Sequence, residues 1–299
     1  MEFSLEELPS ILKVSQGSPI TKLNNNTIWP SGWGQRTAVM AIINITPDSF
    51  SDGGKYLIEE EALKRALMSI KDGADVIDLG AQSTRPGANI ISPDEELKRL
   101  LPILKSIRSK LPNSIISVDT FHSSVAEKAL EEGADWINDV TGSKYDKRMV
   151  DVLSSGNFPY VLTHSKSNNK TIHSQAEYNN VVEDVYQSLI ELTDNAISKG
   201  IREKNIIWDP GIGFSKNREH NIQILTNIDK FSGGNFPLII GASRKRFIGE
   251  IINEKNPLKR NAGNISVVCK CVASNVDMVR VHDVKETIQT IRLANELWK

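Results

Sequence analysis

The sequence predicts an α/β chain: a closed (β/α)8, or TIM, barrel over residues 37–299, preceded by an extension over residues 1–36. Three observations carry that reading. Short apolar runs recur along the chain, each followed by an amphipathic helical stretch, with no linker between units. The units number eight, the number on which such a barrel closes. The rival architecture, a doubly wound open sheet, usually places a glycine-rich dinucleotide turn after its first strand, and this chain has none.

The extension is polar, with an Asn24-Asn25-Asn26 run, and its Trp29 and Trp33 predict that it packs onto the barrel. The first strand, 38–43, is apolar throughout, as befits a strand buried on both faces. It stops at Asn44, and a helix is expected only at 59–72. The intervening loop, about fifteen residues, is longer than an ordinary connection and reads as a lid, with Phe50 as its apolar contact and Gly53-Gly54 as its hinge. The following units pair strand 74–79 with helix 92–110, 114–118 with 122–133, and 135–138 with 146–155. Strand 158–162 then pairs with helix 176–200, 205–208 with 217–231, 236–240 with 257–275, and 276–281 with 284–298. In helix 122–133, Val125, Ala129 and Leu130 share one face, and Glu127, Lys128, Glu131 and Glu132 point largely away. Ser92-Pro93 and Asp283 suit helix starts, and Gly73, Gly133 and Gly200 suit helix ends. Gly73-Ala74-Asp75, Gly133-Ala134-Asp135 and Ser274-Asn275-Val276-Asp277 form a weak internal repeat, a shared way of entering the barrel bottom.

With 36 basic and 37 acidic residues the net charge is -1, which gives no whole-chain attraction to nucleic acid or to an anionic membrane surface. Any anion site must be local. No apolar run approaches the ~18 residues of a membrane span. The acidic start, Met1-Glu2-Phe3-Ser4-Leu5-Glu6-Glu7, lacks the features of a signal or transit peptide, so a cytoplasmic protein is expected. Cys269 and Cys271 stand two apart in a helical stretch and face different ways, so both read as small buried hydrophobes.

In such a barrel the chemistry gathers where strands end. Here the strand ends bring Asn44, Asp78, Asp119, Asn138-Asp139, Thr163-His164, Asp209, Ser243-Arg244-Lys245-Arg246 and Arg280-Val281-His282-Asp283 to one rim. The basic groups follow the last two strands, where barrels commonly hold phosphate, and a helix starting near Asp283 would add free N–H groups. Asp119, Asn138 and Asp209 form an acceptor-rich half, suited to a donor-rich heterocycle. Taken singly, Asp119 also suits a helix cap, Asp209 a turn, Ser-Arg-Lys-Arg a solvated edge and His164 a core histidine. Eight separate explanations of that kind are less economical than one shared site.

At these residues the chain resembles the dihydropteroate synthase family. The resemblance rests on Asn44-Ile45-Thr46-Pro47-Asp48-Ser49-Phe50-Ser51-Asp52-Gly53-Gly54, Ser83-Thr84-Arg85-Pro86-Gly87, Ser117-Val118-Asp119-Thr120 and Ile137-Asn138-Asp139. It continues through Asp209-Pro210-Gly211-Ile212-Gly213-Phe214, Ser243-Arg244-Lys245 and Arg280-Val281-His282-Asp283, in the family's order, over about residues 37 to 298. It implies condensation of 6-hydroxymethyl-7,8-dihydropterin diphosphate with 4-aminobenzoate. Asp119, Asn138, Asp209 and Lys245 would then hold the pterin, and Asn44, Arg85, Arg280 and His282 the diphosphate, with Asn44 also on Mg2+. Phe50, Pro86 and Lys245 would frame the aminobenzoate, with Ser51 and Thr84 nearby, and the family implies a homodimer. Three positions depart from the family pattern: Gln82 where Glu is more frequent, Thr163 where Met usually precedes the His, and Arg246 where some members have Ser. A barrel methyltransferase acting on a folate would need neither Arg85 nor the Ser243-Arg244-Lys245 run, and a non-catalytic relative would have lost a charged rim residue.

Overall fold

In the computed structural model, which describes residues 21–23, 27–45, 55–83, 89–166, 177–232 and 234–298, a hairpin of β1 (Thr21–Leu23) and β2 (Thr27–Trp29) leads into β3 (Ala38–Asn44). There follow α1 (Lys55–Asp72), β4 (Val76–Gly80), α2 (Pro93–Lys110), β5 (Ile115–Asp119), α3 (Ser123–Glu131), β6 (Trp136–Asp139) and α4 (Arg148–Ser154). Next come β7 (Tyr160–Thr163), α5 (Val181–Ser198), β8 (Ile206–Asp209), α6 (Arg218–Thr226) and α7 (Asp229–Ser232). The chain ends with β9 (Ile239–Ile240), α8 (Arg246–Ile251), α9 (Asn261–Ala273), β10 (Met278–Val281) and α10 (Val284–Trp298). Strands β3 to β10 form one parallel sheet of eight in the order β8-β7-β6-β5-β4-β3-β10-β9. A parallel bridge between Trp208 and Leu238, with the Trp208 N–H donating to Pro237 O at 2.8 Å, joins its two edges. The fold is the (β/α)8 barrel that the sequence predicts.

The differences lie at boundaries. Most strands run one residue further than their apolar runs, to Asn44, Gly80, Asp119, Asp139, Thr163 and Asp209, because ladder bonding continues after side chains turn polar. Helix α1 begins at Lys55, so the loop after β3 is shorter than expected; its residues 46–54, with Phe50 and Gly53-Gly54, lie outside the described residues. The stretch 217–231 breaks at Asn227, whose amide donates back to Gln223 O at 2.8 Å. Helix 257–275 starts late because the buried Arg260 guanidinium gathers the carbonyls of Arg244, Glu254 and Lys255, leaving Pro257–Lys259 as a 3-10 turn. Cys271 is buried as expected, whereas Cys269 is only half-buried. Among the described residues no helix is long and apolar enough to cross a membrane.

Alternation along the strands sorts the interior. Val39, Ala41, Ile43, Ile77, Leu79, Ile116 and Val118 face the helices. The opposite set, including Ala38, Met40, Val76, Ile115, Trp136, Val161, Ile207, Ile239 and Met278, fills the lower barrel as a separate apolar plug. Trp29 and Trp33 close its bottom, their rings 5.2 and 5.9 Å from that of Trp136. The extension therefore contributes tryptophans to the barrel's own core.

The internal repeat has a physical use. Asp75 Oδ2 accepts the Val39 N–H at 2.9 Å, Asp135 Oδ2 the Ile116 N–H at 2.9 Å, and Asp277 Oδ2 the Leu238 N–H at 2.8 Å. Each aspartate reaches the neighbouring strand and satisfies a backbone donor near its start. Arg36 and Arg108 neutralise Asp75 and Asp135. These latches lie at the barrel's amino-terminal face, where residues serve stability rather than catalysis. Asp135→Ala should lower the unfolding free energy by about 2–3 kcal/mol, the value of charge-assisted hydrogen bonds, while activity per folded molecule stays at the wild-type level. Urea unfolding with a parallel assay checks both.

Candidate active site

Above the plug the same inward positions change character. Asp78, Ser117, Asp119, Asn138, Thr163 and Asp209 are all buried, each on a strand whose preceding inward residue is apolar, save Asp119, which follows Ser117. Arg280 enters this layer from β10. Its Nε donates to Asp78 Oδ2 at 2.7 Å and its Nη2 to Asp119 Oδ2 at 2.7 Å. Asn138 Nδ2 donates to the same Asp78 Oδ2 at 3.2 Å. Burial pushes the Asp119 carboxyl up to about 7, against the pull of the Arg280 guanidinium and with help from the charge of Asp78. Asn138 Oδ1, Asp78 Oδ1, Ser117 Oγ and Thr163 Oγ1 are buried without a hydrogen-bond partner among the described residues. So many unmet polar atoms at one level suit a polar ligand. Asp139, next to Asn138, turns away and is consumed structurally, accepting from Thr141, Ser143 and Tyr160.

The loop after β8 is built by its own polar groups. Asp209 Oδ1 accepts the Gly211 N–H at 2.7 Å, so the residue shapes a turn as well as facing the site. Gly211 has φ +69, and a Cβ there would stand 2.0 Å from His164 O, which only glycine avoids. The buried Lys216 Nζ donates to Gly211 O and Phe214 O at 3.0 Å each, and meets His164 Nδ1 at 2.9 Å. Burial, then the charge of Lys216, holds His164 well below its usual range, which keeps the ring neutral. His164 is thus a satisfied interior histidine. Lys245 arrives from the next loop, bonds Ile212 O and rests its Nζ 4.1 Å from the Phe214 ring centroid. Burial lowers its ammonium to about 8, with the charge of Asp209 opposing. Burial likewise raises the Asp209 carboxyl, with Lys245 opposing.

The remaining rim separates into working and structural groups. His282 Nδ1 lies 3.0 Å from Ser243 Oγ, in front of α10, whose first residue is Val284. Arg244 is not a free anion-binding group: its Nη2 bonds Asp283 Oδ1 at 2.6 Å. Arg246 is exposed and paired with Glu250, which removes it from the site. Asn44 ends β3, where a Cβ on Gly80 would stand 3.8 Å from its Oδ1 and 3.7 Å from Asp119 Oδ2. Gln82 accepts the Ile91 N–H at 2.8 Å and donates to Ser83 O and Asn89 O, tying the two stems of the second-strand loop. The predicted residues Phe50, Ser51, Thr84, Arg85 and Pro86 lie outside the described residues.

Asn44, Asp119, Asn138, Asp209, Lys245, Arg280 and His282, all named from the sequence, therefore sit on the carboxyl ends of barrel strands or the loops that follow them. The sequence reading placed Asp78 on the rim without a role of its own and did not single out Lys216. A charge at an inward position of the apolar strand Val76–Gly80 was the available signal for the first; nothing local marks the second.

A closed barrel with buried polar and charged groups gathered at the carboxyl ends of its strands defines the class: a barrel enzyme acting on a small polar molecule. The profile of the family described as pterin binding enzyme matches residues 40–282, and the chain belongs to that family. Within it the chain is similar to dihydropteroate synthases. That of Bacillus subtilis (strain 168) is 41% identical over 263 residues, 88% of this chain and 89% of that protein. The Xanthomonas albilineans dihydropteroate synthase with 4-aminobenzoic acid has TM-score 0.84 and 33% identity, covering 91% of this chain and 96% of that one. The same enzyme in complex with 7,8-dihydropteroate has TM-score 0.80 and 31% identity, over 88% and 94%.

Because the Asp119 carboxyl is raised from 3.8 to about 7, the folded state holds its proton where the unfolded chain has lost it. This group's contribution to stability is therefore greatest at low pH and falls as pH rises from about 4 to about 7. Asp119→Asn removes that titration. Melting temperatures should show the wild type losing ground to the variant between pH 5 and pH 8; a constant difference would mean that the carboxyl titrates normally.

Proposed function

We propose that the chain joins 6-hydroxymethyl-7,8-dihydropterin diphosphate to 4-aminobenzoate, giving 7,8-dihydropteroate and pyrophosphate. The observation that carries this is the buried layer Asp119–Arg280–Asp78–Asn138, continued by Asp209 and Lys245, at the mouth of a barrel kin to the dihydropteroate synthases. The ring's amino and N–H groups find acceptors in Asp119, Asn138 Oδ1 and Asp209, while Lys245 donates to its carbonyl. Arg280 and His282, with Arg85 on family grounds, take the diphosphate. Phe50, Ser51, Thr84 and Pro86 are assigned to the aminobenzoate on the resemblance alone. A cytoplasmic location and, on the resemblance, a homodimer belong to the same proposal.

Cationic groups at the diphosphate stabilise charge that grows as the C–O bond breaks. The methylene left behind shares its positive charge with the pterin ring, held between Asp119 and Asp209. The weak amine of 4-aminobenzoate then attacks that carbon, so no protein nucleophile enters the scheme. Magnesium fits this scheme. Asn44 Oδ1 and Asp119 Oδ2 both lie within 4 Å of the point that a Cβ on Gly80 would occupy, so two oxygen donors converge beside a residue without a side chain. Mg2+ typically keeps one or two protein oxygens, with phosphate oxygens and water completing its shell. When bound, it would neutralise the departing pyrophosphate, with Asn44 as its protein ligand.

The direct test mixes the protein with both substrates and Mg2+ and follows pyrophosphate and dihydropteroate. Arg280→Ala sharpens it. If this guanidinium meets charge developing on the leaving group, turnover should fall by about tenfold or more, while affinity for a pterin without the diphosphate barely moves. Retained turnover, or an equal fall in both quantities, would remove Arg280 from the leaving-group role.

A further inference from the structure

Asp78 has no part in the assignments above, yet it is the hub of the charged layer. Its side chain is fully buried, with Arg280 Nη2 2.6 Å from its Oδ2. The same oxygen takes Arg280 Nε at 2.7 Å and Asn138 Nδ2 at 3.2 Å, so one atom joins β4, β6 and β10 across the barrel. Asp119 shares only Nη2 of the arginine and is slightly more exposed. Nη1 of Arg280 has no hydrogen-bond partner among the described residues.

We propose that Asp78 is a positioning residue: it fixes Arg280 toward the leaving group and Asn138 toward the ring, so that Asp119 can exchange the arginine for substrate. The proposal rests on the reading of Arg280 as the diphosphate residue. Its logic is geometric. A ligand-facing aspartate that were also the sole anchor of Arg280 would release the guanidinium each time it bound the ring. A second carboxylate, fully buried and holding the same guanidinium, removes that conflict. Asp119 meets one nitrogen of the guanidinium where Asp78 meets two, which marks it as the less firmly committed partner. The Nε hydrogen bond to Asp78 and the Nη2 hydrogen bond to Asp119, with Nη2 also in ion-pair contact with Asp78, fix the plane of the guanidinium, which leaves Nη1 with a defined direction.

Four proteins test this: wild type, Asp78→Asn, Arg280→Ala and the double variant, each assayed for turnover, melting temperature and affinity for diphosphate-free pterin. Asn keeps the shape of Asp78 and removes its charge. If Asp78 acts through Arg280, Asp78→Asn should cut turnover by about tenfold or more, and the double variant should be no slower than Arg280→Ala, because the two losses are one. The double variant should also melt above Arg280→Ala, since removing the arginine alone strands a buried carboxylate. Wild-type turnover in Asp78→Asn, multiplying losses in the double variant, or equal melting of double and Arg280→Ala would each overturn the proposal. Should Asp78→Asn not fold, a folded double variant would still support the pairing, and an unfolded one would overturn it. A wild type that makes no dihydropteroate fails the functional reading instead, and the melting comparison then decides on Asp78 alone.

Discussion

A guanidinium inside a barrel cannot stay there without anions, and the arrangement around Arg280 follows from that constraint. An isolated buried charge is prohibitively costly, whereas one that is paired and hydrogen-bonded is tolerated. Arg280 has two carboxylates within 2.7 Å. Lys245 lies in the field of Asp209, and each group displaces the other's titration. The layer is therefore nearly neutral as a whole while remaining rich in directed donors and acceptors. Such a layer suits a heterocycle rich in donors and acceptors that carries an anionic tail, without needing to reorganise the barrel, which is what electrostatic preorganisation requires.

That layer stands on an apolar plug and depends on its rigidity. Trp136, buried beneath Asn138 on the same strand, packs against Trp29 and Trp33 from outside the barrel proper. Below, Asp75, Asp135 and Asp277 tie neighbouring strands together at their starts. Strand register is set at the bottom, and the charged side chains at the top inherit it. One end of each strand serves stability and the other serves chemistry, with a single inward position marking the change in several strands.

The eight-unit rhythm made the barrel legible, because apolar strands buried on both faces and one-sided helices leave clear periodic marks. Asp119, Asn138, Asp209, Lys245 and Arg280 were legible for a related reason: polar residues at the ends of apolar runs have few structural excuses. Asp78 was harder to read, since it sits inside a run and its role depends on an arginine 202 positions away. Lys216 was illegible for a similar reason; its partners are two carbonyls and a histidine brought together only by the folded loop. Arg244 misled in the opposite sense. Within Ser243-Arg244-Lys245 it reads as a phosphate ligand, but at φ +60 its side chain turns to Asp283. Short elements such as α8, with six residues, carry too little periodicity to be seen at all.

The central claim is that the buried acceptors of the barrel mouth hold a pterin ring. Calorimetric titration of a diphosphate-free dihydropterin into the wild type and into Asp209→Asn tests it most directly. A charge-assisted hydrogen bond contributes roughly 1.5–3 kcal/mol, so the variant should bind about tenfold more weakly or worse while melting as a folded protein. Undiminished affinity in a folded Asp209→Asn would contradict the claim, and the ring would have to be placed elsewhere in the barrel.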